Sequence, residues 1–428
     1  MKVRVGSRRA HDKLVALPGV RTVRRPVSPG SAQEFDLYYV RTGRKSPHPL
    51  LIIPGGPGAA SIALYRGTRR RAAAAGLDVI MVEHRGVGLS RHDDTGADLP
   101  PAALTINQVV DDIAAVLDDA HVERAIPYGT SYGTYIAAGL GVRHPQRMHA
   151  MILDSPVLSG DDIDEVRKAI RAVLWDGTGT EGDKRTREER TATVDLAPKV
   201  RKLVDDGVLT PAAGQLAAAV YGFGGPTLLN RQLDLLLRGR RGLWTVMDGL
   251  ARRIIARKAP YRHEPDLVGR IGFRELNYGD VPDGKPLDPA AAYREFSLET
   301  VEFEAEPYDL VAEMPKFSWP TAVVSGGRDL TTPPAIADRI ASLIPAARLV
   351  RLATCGHSVL DSREPAALQI AKAVSAGQID TLPARALALD ALPASAPIRM
   401  MTTAISLAAA IESVLPVPRR YLMNPTAL

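Results

Sequence analysis

The 428-residue chain has a single cysteine, Cys355. That excludes a disulfide framework and any zinc site built from several thiolates. No apolar run reaches the roughly 18 residues a membrane-spanning helix needs. The N-terminal stretch MKVRVGSRRAHDKLV carries basic residues but no apolar region of the kind a secretory signal requires. Aromatic residues make up only 5% of the chain. This bears on its charge: the formal net charge is +6, and 43 of the 54 basic residues are arginine. A nucleic-acid surface would set such arginines beside stacking aromatics. Here they fall in scattered groups, Arg69 to Arg71 and Arg238, Arg240 and Arg241, which read as solvated faces. With 45% apolar and 24% charged residues, the composition is that of a globular protein. The expectation is a soluble, cytoplasmic protein with no nucleic-acid partner and no integral membrane contact.

What is present is a strand–helix alternation. Residues 14–40 hold two extended stretches, LVALPGVRTVRR and EFDLYYVRTG, around a Pro/Gly/Ser turn, which predicts an antiparallel hairpin. LLIIPGGPG reads as a buried parallel strand feeding a loop. A helical stretch (62–75), the run LDVIMVEHRG, the helical pattern INQVVDDIAAVLDDA, ERAIPYGTSYG, an Ala/Gly-rich helix and MHAMILDSP follow. This is the grammar of an α/β protein with a doubly wound, mostly parallel sheet. The alternation stops after Asp154 and resumes with TAVVSGGRD (321–329), a helix (334–343), ARLVRLATCGH (347–357) and a helix (362–375). The expected organisation is one core, 1–156 and 319–375, with a large helical cap, 157–318, inserted after the sixth core strand. A helical extension, 376–428, closes the chain. The run at 176–190 reads as a loop. IRMMTTAISLAAAIESVLP reads as a docked terminal helix, since it lacks the basic polar face of a membrane-surface helix.

The strongest chemical signal is Gly129-Thr130-Ser131-Tyr132-Gly133. In a Gly-x-Ser-x-Gly pattern between a strand and a helix, the serine sits on a strained turn at the C-terminal edge of the sheet. Pro127 lies within that presumed strand and would cost it a ladder hydrogen bond. A serine nucleophile needs a base, and the base needs an orienting acid. Among nine histidines, only His357 follows a late strand. Asp329, at the end of TAVVSGGRD, is the candidate acid, and Asp154, ending MHAMILDSP, is the alternative. A tetrahedral intermediate needs donors at its oxygen. The backbone amides of Tyr132 and of Gly56, in the loop Pro54 to Gly58, are the candidates. That loop is not a phosphate loop, because no Gly-Lys-Ser/Thr follows it.

Together these residues resemble the α/β-hydrolase fold, and within it the proline iminopeptidase and tripeptidyl-aminopeptidase-like group. The carriers are Gly55 to Gly58, Arg85-Gly86-Val87-Gly88-Leu89-Ser90, and Gly129 to Gly133. Pro54 stands where many members have His, Glu83-His84 replaces Asp-Gln, and Ser358 follows His357 where Gly is common. The resemblance implies a triad of Ser131, Asp329 and His357 and no cofactor. It also implies acidic cap residues that hold the free amine of a short peptide. Of the cap acids Glu299, Glu302, Glu304 and Glu306, Glu302 and Glu304 would share one face of an extended stretch. An aminopeptidase acting on short peptides is the first expectation, and an esterase or lactonase acting on a small metabolite the second. A binding protein that keeps the fold without turnover is the third.

Overall fold

The computed structural model describes residues 5–179, 187–256, 258–296 and 301–415. The cap glutamate Glu299 lies outside these residues. Short apolar segments whose side chains alternate between two faces dictate the core. These segments are β1 (Val20–Pro26), β2 (Glu34–Thr42), β3 (Leu50–Ile53), β4 (Val79–Val82), β5 (Ile126–Thr130), β6 (Met151–Asp154), β7 (Thr321–Gly326) and β8 (Ala347–Leu352). They form one eight-stranded sheet in the order β1-β2-β4-β3-β5-β6-β7-β8. β2 pairs antiparallel with β1 and β4, and the other pairs are parallel. The opening hairpin begins later than its apolar pattern suggests: Leu14 and Val15 end a helix, α1 (Val5–Val15), and the strand starts at Val20.

The helices used below are α2 (Arg66–Ala74), α3 (Ile106–Asp119), α4 (Tyr132–Arg143), α5 (Asp162–Arg171), α6 (Pro211–Leu237), α7 (Gly242–Ala256), α8 (Pro334–Leu343), α9 (Glu364–Ser375), α10 (Leu382–Asp390) and α11 (Ala396–Val414). Leu51, Ile53, Ile80, Val82, Leu153 and Val323 face a layer built on α3, α4 and α8. Their neighbours Leu50, Ile52, Val79, Met81, Ile152 and Val324 face the opposite layer, built on α2, α9 and α10. With helices on both faces, the central strands read as unbroken apolar runs. Pro127 is the second residue of β5, opposite Leu51. Ile126 donates toward the β3 side, to Pro49, so the peptide nitrogen of Pro127 faces β6. The β6 register begins one residue later, with Tyr128 opposite Ile152, and the missing donor falls where the ladder has not started.

Between β6 and β7 the chain builds a separate apolar cluster on α5, α6 and α7. Residues 187–190, read as loop, open a helix (Arg187–Val194), and 180–186 of that run lie outside the described residues. α11 docks on this cluster through Ile405, while Met400, Leu407, Ile411 and Val414 are exposed. Among the described residues no helix is long and apolar enough to cross a membrane.

The arginine groups are solvated only in part: Arg70, Arg71 and Arg238 are exposed, while Arg69 and Arg241 are buried and Arg240 is half-buried. Arg69 is 2% exposed and donates to the carbonyls of Ser61 and Ile62. Arg71 pairs with Glu364 at 2.7 Å. Arg240 donates to the carbonyls of Glu412 and Leu415 near the end of α11. Each of these three guanidinium groups donates to backbone carbonyls or to a carboxylate.

Candidate active site

Ser131 lies between β5 and α4 with φ 53° and ψ −126°, a conformation a non-glycine residue holds only when its surroundings enforce it. The two flanking glycines explain how the turn closes. A Cβ on Gly129 would lie 2.3 Å from the Gly133 carbonyl oxygen, and one on Gly133 would lie 2.2 Å from that of Ile53. The doubled-back chain leaves no space for either. Ser131 N donates to the Asp154 carbonyl at 2.9 Å, and Thr134 N donates to the Ser131 carbonyl at 2.8 Å. Tyr132 therefore opens α4 at its positive end.

The loops after β7 and β8 bring Asp329 and His357 together. Asp329 Oδ2 lies 2.9 Å from His357 Nδ1. Its Oδ1 accepts the amides of Thr331 and Thr332, both at 2.9 Å, and Thr332 Oγ1 donates to Oδ2 at 3.0 Å. Burial pushes the Asp329 carboxyl up, but the charge and hydrogen bond of His357 and the two loop amides outweigh it and leave it below its ordinary value. Burial likewise pushes the His357 ring down, and the Asp329 charge and hydrogen bond leave it above its ordinary value. Each group stabilises the charged form of the other.

Asp154, the alternative acid, is committed elsewhere. It accepts the amides of Val359 at 3.0 Å and Leu360 at 2.8 Å, and the Tyr128 hydroxyl donates to it at 3.1 Å. It ties down the turn that carries the histidine. Ser358 serves the same turn: at φ +58° it holds the left-handed conformation that glycine adopts freely. Its hydroxyl accepts from Thr130 at 2.9 Å and donates to Asp361 at 2.6 Å, while its amide donates to Ser155 at 2.9 Å. These bonds hold a serine where glycine is the cheaper residue. Gly356, beside the histidine, is a close-approach residue: its Cβ would lie 2.5 Å from the Gly222 carbonyl of α6.

Ser131, His357 and Gly56 line one cavity of about 600 Å³ beneath the cap. No hydrogen bond joins Ser131 to His357 among the described residues; in ligand-free enzymes such bonds are often long and tighten on substrate binding. Gly56 has φ +136°, and the adjacent Gly55 is so close to the serine that its Cβ would meet Ser131 Cβ at 3.2 Å. The walls are mostly apolar, with Val157, Ile163, Val166, Leu216, Phe273 and Tyr293 prominent. Glu302 and Glu304 are not among the lining residues; both are exposed. The extended stretch turns these two carboxylates to water, the low-cost placement for unpaired charge. The carboxylates that do line the cavity are Asp162, Asp248 and Asp266. Their sequence signal was weak, since each belongs to a helical or loop segment rich in other charges.

A family model described as alpha/beta hydrolase fold matches residues 48–203. That stretch contains β3 to β6 and the Ser131 turn, the elements on which the sheet order rests. The chain has the α/β-hydrolase fold. Among curated proteins, the polyketide synthase ThaQ of Burkholderia thailandensis is 32% identical over 183 residues, covering 37% of this chain and 9% of ThaQ. The chain thus spans a small part of the length of the curated relative it matches. Solved structures similar to this chain include a proline iminopeptidase from Mycobacterium smegmatis, 17% identical over 86% of this chain and 100% of that one, with a TM-score of 0.48. A thermophilic esterase from Thermogutta terrifontis is 15% identical over 84% and 99%, with a TM-score of 0.44. Est816, an N-acyl homoserine lactone degrading enzyme, is 21% identical over 79% and 96%, with a TM-score of 0.43.

Within this fold the segment Arg85 to Ser90 has a structural role. Arg85 is fully buried and forks onto Asp112, at 2.6 and 2.7 Å, and donates to the carbonyls of Val27 and Ala103. Ser90 Oγ accepts the Tyr38 amide at 2.9 Å. Glu83 accepts the amides of Ile62 at 2.9 Å and Leu89 at 3.3 Å. Burial pushes its carboxyl up to about 7.

Proposed function

We propose that the chain is a serine hydrolase that cleaves small, largely apolar esters through an acyl-enzyme. The placement of His357, paired with the buried Asp329, on the same cavity as Ser131 carries this reading. Ser131 Oγ attacks the ester carbonyl as His357 Nε2 takes its proton, and Asp329 holds Nδ1–H and the cation that forms. The amides of Gly56 and Tyr132 receive the oxyanion. Its collapse expels the alkoxide, which takes the proton from His357, and water then repeats the sequence on the acyl-serine to release the acid.

The charge balance of the cavity favours an ester over a peptide amine. A buried ammonium needs a carboxylate to itself, and two of the lining carboxylates already have cations. Asp266 pairs with Arg91 at 2.8 Å and Lys258 at 3.4 Å, and Asp248 pairs with Arg252 at 2.7 Å. Asp162 supports the second reading, an aminopeptidase of the proline iminopeptidase type. It accepts the Leu158 amide at 2.7 Å, and burial pushes its carboxyl up to about 7, a protonation that a substrate ammonium would reverse.

A fluorophosphonate probe should label the wild type and not Ser131→Ala, and unlabelled wild type would remove the serine-hydrolase reading. Assays with p-nitrophenyl esters against alanine and proline naphthylamides then separate the two substrates. Cleavage of naphthylamides alone would replace the esterase with the peptidase.

A further inference from the structure

The loop that carries Gly56 is rich in glycine, Gly55, Gly56 and Gly58. Such a chain holds no fixed shape by itself, yet an oxyanion donor is useful only if it is already in place when charge develops. The rigidity must come from neighbours, and the cap supplies it. Residues 258–266 cross this loop as an antiparallel strap. Ala60 N donates to the Arg262 carbonyl and Glu264 N donates to the Gly58 carbonyl, both at 2.9 Å, with Ala59 opposite His263. The contact is backbone to backbone: a Cβ on Gly58 (φ +119°) would lie 3.0 Å from Pro265 Cα.

Side chains fasten the strap at a second level. The Glu264 carboxylate, 3% exposed, accepts the Gly88 amide, next to the Leu89 amide that Glu83 accepts. Glu83 reaches back to the Ile62 amide, just beyond the glycine loop. Arg91 grips Asp266 with two hydrogen bonds, at 2.9 and 2.8 Å. The return of the oxyanion loop is thus held between Glu83 from the sheet and Glu264 from the cap. His263, Pro265 and Asp266 also line the cavity, so the strap touches both the substrate space and the loop.

We propose that Glu264 is a positioning residue of the hydrolase reaction: by fixing the strap to Gly88, it holds the Gly58–Ala60 backbone and through it the Gly56 donor. This rests on the serine-hydrolase reading above. Loss of the carboxylate loosens a group needed only in the transition state, so kcat falls by a larger factor than KM rises through the strap residues that line the cavity.

The test compares wild type, Glu264→Ala, Glu264→Gln and Ala60→Pro on p-nitrophenyl butyrate, with thermal melting as the folding control. Affinity for a trifluoromethyl ketone, whose hemiketal oxygen occupies the oxyanion position, is the second readout. Glu264→Ala should lose about 10- to 100-fold in kcat, less than or comparable to deletion of an oxyanion donor outright, and lose ketone affinity by the same factor, with KM changing by less than about threefold. Glu264→Gln keeps an oxygen acceptor for the Gly88 amide and should recover most of the rate. Ala60→Pro removes the backbone half of the strap at a φ of −80°, which proline tolerates, and should show the same kcat and ketone losses. It decides the matter if Glu264→Ala does not fold. A folded Glu264→Ala with wild-type kcat and ketone affinity overturns the role, as does an equal loss in Gln and Ala. If the wild type is neither labelled by fluorophosphonate nor active, the serine-hydrolase reading falls and the positioning role falls with it; an active, labelled wild type confines the failure to the strap.

Discussion

Replacing Asp329 with asparagine tests the proposed acid at atomic level, because the substitution keeps the shape of the loop and reverses one hydrogen bond. Oδ1 accepts the Thr331 and Thr332 amides at 2.9 Å each, so the asparagine oxygen must take that position to satisfy two buried donors. Its NH2 group then falls where Oδ2 stood, 2.9 Å from His357 Nδ1. A donor there forces Nδ1 to accept and puts the ring proton on Nε2, the atom that must take the Ser131 proton. Wrong-tautomer substitutions of this type cost about 10⁴-fold in kcat, or about 5.5 kcal/mol of barrier at 1.36 kcal/mol per tenfold. Asp154→Asn is the control. It loses one of the acceptors for the Val359 and Leu360 amides but leaves the tautomer alone, so a loss of about tenfold is expected, in line with one unsatisfied buried donor. Hydrolysis of p-nitrophenyl butyrate, with melting curves to confirm folding, measures both. An Asp329→Asn enzyme within tenfold of wild type, or an Asp154→Asn enzyme the worse of the two, would refute the assignment.

The proposed mechanism needs a neutral His357, whose pKa lies above the ordinary 6.5. The log of kcat/KM should therefore rise with pH and level off only after passing a midpoint above 6.5, and Asp329→Asn should move that midpoint down. The linkage to folding has the opposite sign: the raised histidine pKa adds stability that is complete below 6.5 and fades as pH climbs through the folded value. Arg85→Ala removes one partner of a fully buried pair with Asp112 and should cost about 3–5 kcal/mol, read by urea unfolding. Leu216→Trp fills part of the apolar wall and should lower kcat/KM for octanoate esters at least tenfold while sparing acetate, by the 1–3 kcal/mol that one or more excluded methylenes represent.

The sheet was readable because β3, β4, β5 and β6 are short, unbroken apolar runs punctuated by glycine and proline, and the Ser131 turn because its two glycines answer a steric demand that nothing else meets. The choice between Asp154 and Asp329 was not readable from the strands themselves. Asp154 is the last residue of β6 and Asp329 lies in the loop three residues past β7, both at the same sheet edge, and only the folded loop separates the one that meets the ring from the one that meets Val359 and Leu360. Glu302 and Glu304 show the limit of charge patterning: an acidic stretch in extended chain gives a period but not the face that turns inward. The strap left no sequence trace, because residues 262–264 pair with 58–60 through backbone atoms that any sequence carries. Ser358 was visible as a departure from glycine, but the three polar partners that hold it, Thr130, Ser155 and Asp361, come from β5, the turn after β6 and the turn itself.

The descending arm of the β6-to-β7 connection bears on any attempt to shorten this protein. Parallel strands oblige the chain to travel from one rim of the sheet back to the other. Tyr308, Leu310, Met314, Phe317 and Trp319 make that journey packed in the α4 layer, and the Tyr135 hydroxyl donates to the Tyr308 carbonyl at 2.9 Å. A trimmed variant that removes everything between the two strands would strip a helix of its covering and leave a long apolar trench along the back of the sheet. A deletion that stops short of Tyr308 and bridges the gap with a flexible linker keeps that seam closed, and is the truncation from which a soluble miniature is expected.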